Sequence, residues 1–118
     1  MIKNASKLGL SSGSLLVPGR CRLGAIQLAA TDLAGSGRAS PQDFNFNDMK
    51  IEFSDGSDSG DVLFGFCLPI GSNFGWSIMP YYYEFGNGRI LFPNGIYSKA
   101  ITGTLPDPDQ VMVSVFYE

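Results

Sequence analysis

Carboxylates are the side chains here with the most obvious chemical reach, and Glu52, Glu84 and Glu118 are the only glutamates. Glycoside hydrolysis needs two carboxyl groups across the scissile bond, one as acid and one as base or nucleophile. Glu52 alternates with apolar neighbours in "MKIEF" and falls on an exposed face, while Glu118 follows the strand-like run "VMVSVFY". Only Glu84, directly after Tyr81, Tyr82 and Tyr83, has neighbours that suit a cleft. The chain contains no histidine, so the usual general base near neutral pH is missing as well. A small glycosidase centred on Glu84 is therefore the weakest reading. The expectation is a protein that is not an enzyme, with no catalytic residues and no cofactor.

Asp55, Asp58 and Asp61 in "SDGSDSGD" invite comparison with a calcium loop. Such a loop spaces its first acidic ligands two apart and closes on a glutamate at position twelve. Here the spacing is three and the closing position is Phe66, which leaves a solvated hairpin turn and no metal site. Cys21 and Cys67 are far apart, and each sits in an apolar run, which reads as two buried free thiols. A disulfide between them would need an oxidising compartment. The aromatic centre is "NFGWSIMPYYYEF", with Phe74, Trp76, Tyr81, Tyr82, Tyr83 and Phe85. Three consecutive tyrosines in an extended chain cannot all face one core, because neighbours alternate sides. At least one faces solvent or a partner, which nominates Trp76, Tyr81, Tyr82 and Tyr83 as interface residues. A sugar-stacking platform built from the same rings is the alternative.

Charge points in the same direction. Residues 1 to 40 carry Lys3, Lys7, Arg20, Arg22 and Arg38 against Asp32 alone, whereas the rest of the chain is strongly acidic. Lys3, Lys7, Arg20 and Arg22 are expected to hold a basic segment against the acidic body of a neighbouring copy. Scattered cations do not make a phosphate-tracking stripe, so no nucleic-acid partner is expected. Ser and Gly interrupt the N-terminal apolar run and no stretch of about 18 apolar residues occurs, so neither a signal peptide nor a membrane span is expected and synthesis is placed in the cytosol. Charged residues make up only 16%, below the typical ~25%. Such a surface leaves room for apolar contact patches.

The elements that must position these residues are strands. Gly and Pro total 22 of 118 residues, spread evenly enough to break most helix-length windows. "RLGAIQLAATDLAG" has Leu23, Ile26, Leu28 and Leu33 at helical spacing, yet residues 20 to 30 read better as a buried strand. Alternation sets Ile51 and Phe53 against Lys50 and Glu52, and Val111, Val113, Val115 and Tyr117 against Met112, Ser114 and Phe116. "DFNFND" reads as another strand. The run 62 to 68 is apolar on both faces, so it belongs mid-sheet or beneath another subunit. Asn94-Gly95 tolerates positive φ angles and marks a bend after Pro93. About eight short strands predict one all-β domain, a β-sandwich of jelly-roll or Ig-like type over residues 20–118. An extended N-terminal arm over residues 1–19 precedes it.

Residues 49 to 118 carry three segments in a telling order: "IEFSDGSDSGDVLFGFCLP", "GNGRILFPNGIYSKAI" and "VMVSVFYE". Within the second, Gly86, Gly88, Ile90, Phe92, Asn94, Gly95, Ile96 and Tyr97 form the pattern, varied by Arg89 and Pro93. This half of the chain resembles small structural proteins of tailed bacteriophages. The resemblance implies a virion component made in the host cytoplasm: a capsid decoration or cement protein, or else a tail or fibre part. It implies an oligomer, with a homotrimer expected, and partners such as the major capsid protein. No catalytic residue is carried over from it. Residues 1 to 40 lie outside the resemblance.

Overall fold

Period-two alternation decides the architecture. The structure is a computed structural model that describes residues 2–9, 12–30, 50–67, 81–102 and 111–118. Its strands are β1 (Lys3–Leu8), β2 (Ser14–Pro18), β3 (Cys21–Ala30), β4 (Lys50–Asp55), β5 (Val62–Cys67), β6 (Tyr81–Glu84), β7 (Ile90–Phe92), β8 (Gly95–Ser98) and β9 (Val111–Tyr117). The first sheet runs β1-β9-β3-β6, with β7 also pairing to β3; the second runs β2-β8-β4-β5. Every pairing is antiparallel. The two sheets make a small β-sandwich, the class that the strand pattern predicts. The "DFNFND" segment, Met49, Trp76 and residues 103–110 lie outside the described residues.

The core forms where the inward residues of the two sheets meet. Leu23, Ile26 and Leu28 of β3 and Val111, Val113 and Val115 of β9 face Ile51 and Phe53 of β4, Ile96 of β8 and Val17 of β2. Ser114, on the outward face of β9, shares a hydroxyl contact of 2.7 Å with Ser6 of β1. The alternation expected for β4 and β9 therefore holds, and residues 21 to 30 are strand throughout.

Two expectations need correction. Residues 1–19 are not an arm beside a separate domain. Lys3–Leu8 pairs along its length with β9, and Ser14–Pro18 pairs with β8, so this segment supplies the outermost strand of each sheet. Its composition hides this, because ladder hydrogen bonds are made by the backbone whatever the side chain. Among the described residues of this segment, Val17 is the one that is fully in the core. Glycines at 9 and 13, both with φ of 78°, turn the chain between the two sheets. The second correction concerns β5, which among the described residues pairs with β4 and stands at the end of its sheet, not in the middle. Phe64 and Phe66 are half-buried toward the core, while Val62 (45%) and Leu63 (36%) are exposed. Both faces are apolar; Phe64 and Phe66 on one are half-buried, and Leu63 on the other is exposed.

The Asn-Gly bend is a corner between sheets. β7 lies in the first sheet and β8 in the second, and the chain crosses at Pro93-Asn94-Gly95. Gly95 has φ of 120°, and a Cβ there would stand 2.3 Å from the Val17 carbonyl oxygen. Neither the dihedral nor the space admits another residue. The Asp55 carboxylate clasps the corner by accepting from the Asn94 backbone N–H at 2.7 Å and its side-chain amide at 2.8 Å. The Gly56 N–H donates to the Gly95 carbonyl at 2.8 Å. Asp55 and Asn94, 39 residues apart in the chain, are thus joined here in a turn clasp that shapes the fold.

Candidate binding surface

Among the described residues, aromatic rings gather along the side of the sandwich that holds β5 and β6. β6 pairs with β3, setting Tyr83 opposite Ile26, Tyr82 opposite Gln27 and Tyr81 opposite Leu28. Alternation then divides the tyrosines as the sequence requires. Tyr83, on the core side, lies 6.3 Å from the Phe64 ring and 5.1 Å from Phe85. Phe64 in turn meets Phe85 edge-on at 4.8 Å and Phe66 at 5.7 Å. This ring cluster bridges the two sheets and closes the core along that side. Edge-to-face arrangements of this kind add to area burial. Tyr83 is still 46% exposed, so the closure is incomplete.

Tyr82 points the other way, onto the outer face of the first sheet. Its ring meets Phe116 edge-on at 6.2 Å and is 53% exposed. Beside it lies a shallow groove of about 110 Å³ bordered by Gly24, Glu84, Arg89, Phe116 and Glu118. β3 bulges between Leu23 and Ala25, and the missing side chain at Gly24 leaves that stretch of backbone uncovered. Arg89 forms an ion pair with Glu118. Glu84 is exposed and takes part in no ion pair among the described residues. Arg89 and Phe116 carried no signal in the sequence, because only the fold brings positions so far apart together.

The basic residues separate into two groups. Lys3 and Lys7 sit on β1, opposite Tyr117 and Val113, and both are exposed. Arg20 is exposed in the turn before β3. Arg22 is exposed on β3 and exchanges two backbone hydrogen bonds with Glu118. Among the described residues the four cations do not converge on one acidic patch; Lys3 and Arg22 share an end of the first sheet.

Cys21 is a buried free thiol, as expected, and burial pushes its pKa up, with the Asp55 charge adding to the effect. The Cys67 side chain lies outside the described residues. Among the described residues, no group of three or more acidic, cysteine or histidine side chains could hold a metal ion. Asp58 and Asp61 are exposed, and the "SDGSDSGD" turn is a solvated hairpin between β4 and β5. No helix among the described residues is long and apolar enough to cross a membrane. No protein-family model matches this chain, no curated protein does, and no solved structure does.

Proposed function

We propose that this chain is a non-enzymatic structural protein of a tailed-phage particle, a capsid decoration or cement subunit that packs against copies of itself and against the major capsid protein. The observation that supports this is the uncharged, apolar edge of β5 beside the aromatic edge of β6. Val62, Leu63 and Tyr83 are all exposed there, and among the described residues no strand pairs with the outer edge of either β5 or β6. An open strand edge without charge or proline is a template for another chain. Large exposed aromatics are the residues that anchor protein interfaces.

The corrected topology changes how the subunit attaches. Residues 3–8 and 14–18 are committed to the sandwich, so attachment runs through the β5–β6 side, not through a free N-terminal arm. Closed rotational symmetry, with a trimer expected, gives each copy the same environment.

The test has two parts. Sedimentation and native mass spectrometry of the purified chain are expected to show a discrete oligomer. Gradient-purified virions from cells that encode the chain are expected to contain it in fixed stoichiometry to the major capsid protein. A monomer at high concentration together with absence from purified particles overturns the reading.

A further inference from the structure

We propose that the groove beside Tyr82 on the outer face of the first sheet is a binding site for a neutral sugar residue of a glycan. It is separate from the β5–β6 packing edge, and its residues belong to three parts of the chain that the fold alone assembles. Tyr82 offers a half-exposed ring whose tilt is held by its edge-on contact with Phe116. A flat, amphipathic ring held in place is a platform for the C–H face of a pyranose. Gly24 lines the groove, where a Cβ would make ordinary contacts, 3.4 Å from the Phe116 carbonyl oxygen and 3.7 Å from Arg89 Nε.

Charge in the groove selects against anions, and hydrogen-bond capacity decides the rest. Arg89 is neutralised by its ion pair with Glu118, and Glu84 adds a carboxylate on the far wall. An anionic ligand meets two carboxylates and must compete with Glu118 for the guanidinium. A cationic ligand gains from Glu84 but cannot accept the N–H donors of Arg89. Arg supplies donors only, and ionised carboxylates accept only. An uncharged ligand rich in hydroxyls, which donate and accept at once, uses all three groups without breaking the Arg89–Glu118 pair. The groove's volume of about 110 Å³ suits contact with one ring at a time, so weak affinity multiplied by oligomer valency is the expected mode.

The test is amide-shift titration of the full chain with maltotriose, cellotriose and triacetylchitotriose, with trigalacturonate and spermidine as charged controls. At least one neutral trisaccharide is expected to give saturable shifts confined to the amides around Gly24, Tyr82, Glu84 and Arg89, with Kd of order 1 mM. Tyr82→Ala is expected to weaken binding roughly tenfold, equivalent to ~1.4 kcal/mol, while Tyr82→Phe retains it. Glu84→Gln is expected to admit trigalacturonate more readily while leaving the fold intact, which gives a readout that does not depend on the alanine variant. The proposal is overturned if no neutral trisaccharide saturates the site by ~20 mM, well past that expected Kd. Tighter binding of either charged control, or equal binding by Tyr82→Ala, overturns it too.

Discussion

The two long sides of the sandwich manage their open edges in opposite ways. On one side β1 and β2 end the sheets. Lys3, Ala5 and Lys7 of β1 oppose the core-facing residues of β9, so the lysines lie on the inward side of an edge strand. β2 ends in Pro18, which has no N–H to offer, and its register shifts between Leu15 and Val17. Inward charge, proline and irregular register are the devices by which edge strands refuse partners. On the other side β5 reads "VLFGFC" and β6 reads "YYYE", with no proline and no charge before Glu84. Burial alone would not require this difference, since both sides cover the same core. Among the described residues the two sides therefore differ in edge chemistry, one carrying charge and proline and the other apolar and aromatic side chains.

The largest expected effect tests whether β1 belongs to the closed side. Deleting residues 2–9 removes a strand with six register partners on β9 and should cost roughly 3–5 kcal/mol, at about 1 kcal/mol net per hydrogen bond plus lost packing. Denaturant titration checks it; a disposable arm would leave the midpoint unchanged. Gly95→Ala comes next. The added methyl collides with the Val17 carbonyl of β2 at a φ that disfavours any side chain, and a loss of about 2–4 kcal/mol is expected in the same measurement.

On the open side, Leu63→Lys should leave stability within about 0.5 kcal/mol yet weaken self-association tenfold or more, read by sedimentation. The mirror experiment replaces Lys3 and Lys7 with threonine. Stability should change by less than about 0.5 kcal/mol, while aggregation on concentration should rise as the closed side loses its guard. If neither exchange alters association, the contrast between the sides has no consequence. A last prediction concerns Cys21. Its folded pKa is raised, so the neutral thiol is the form that folding favours. Its contribution is full below the ordinary thiol pKa and falls as the pH rises through the raised folded value. Cys21→Ser should flatten that alkaline loss in pH-dependent unfolding, and Cys21 should react slowly with thiol reagents until the protein unfolds.

How much of this was legible in the sequence depended on the range of the interaction. The alternation of β4 and β9 and the identity of β3 as a strand could be read locally, because each rests on neighbours two apart. The division of Tyr82 from Tyr83 followed from the same periodicity. The place of β5 did not, because an apolar run has the same composition whether a sheet, another subunit or nothing covers its second face. β1 and β2 were missed because "KNASKL" has little hydrophobic signal; its strand character comes from backbone groups that β9 happens to leave unpaired. The groove was half visible, in Tyr82 and Glu84, while Arg89, Phe116 and the Gly24 bulge joined it only through strand register. Among the candidate residues, Trp76 and the side chain of Tyr81 lie outside what the structure describes.

By itself the sequence determined that the chain builds strands, where its corner must bend, and which residues seek a core, since dihedral preference and period-two burial act over a few residues. Only the tertiary structure decided which edges stay open, which ring faces a groove and which carboxylate clasps the corner. Those depend on pairings between strands far apart in the chain, and hydrogen-bonded ladders place them without leaving a mark on composition.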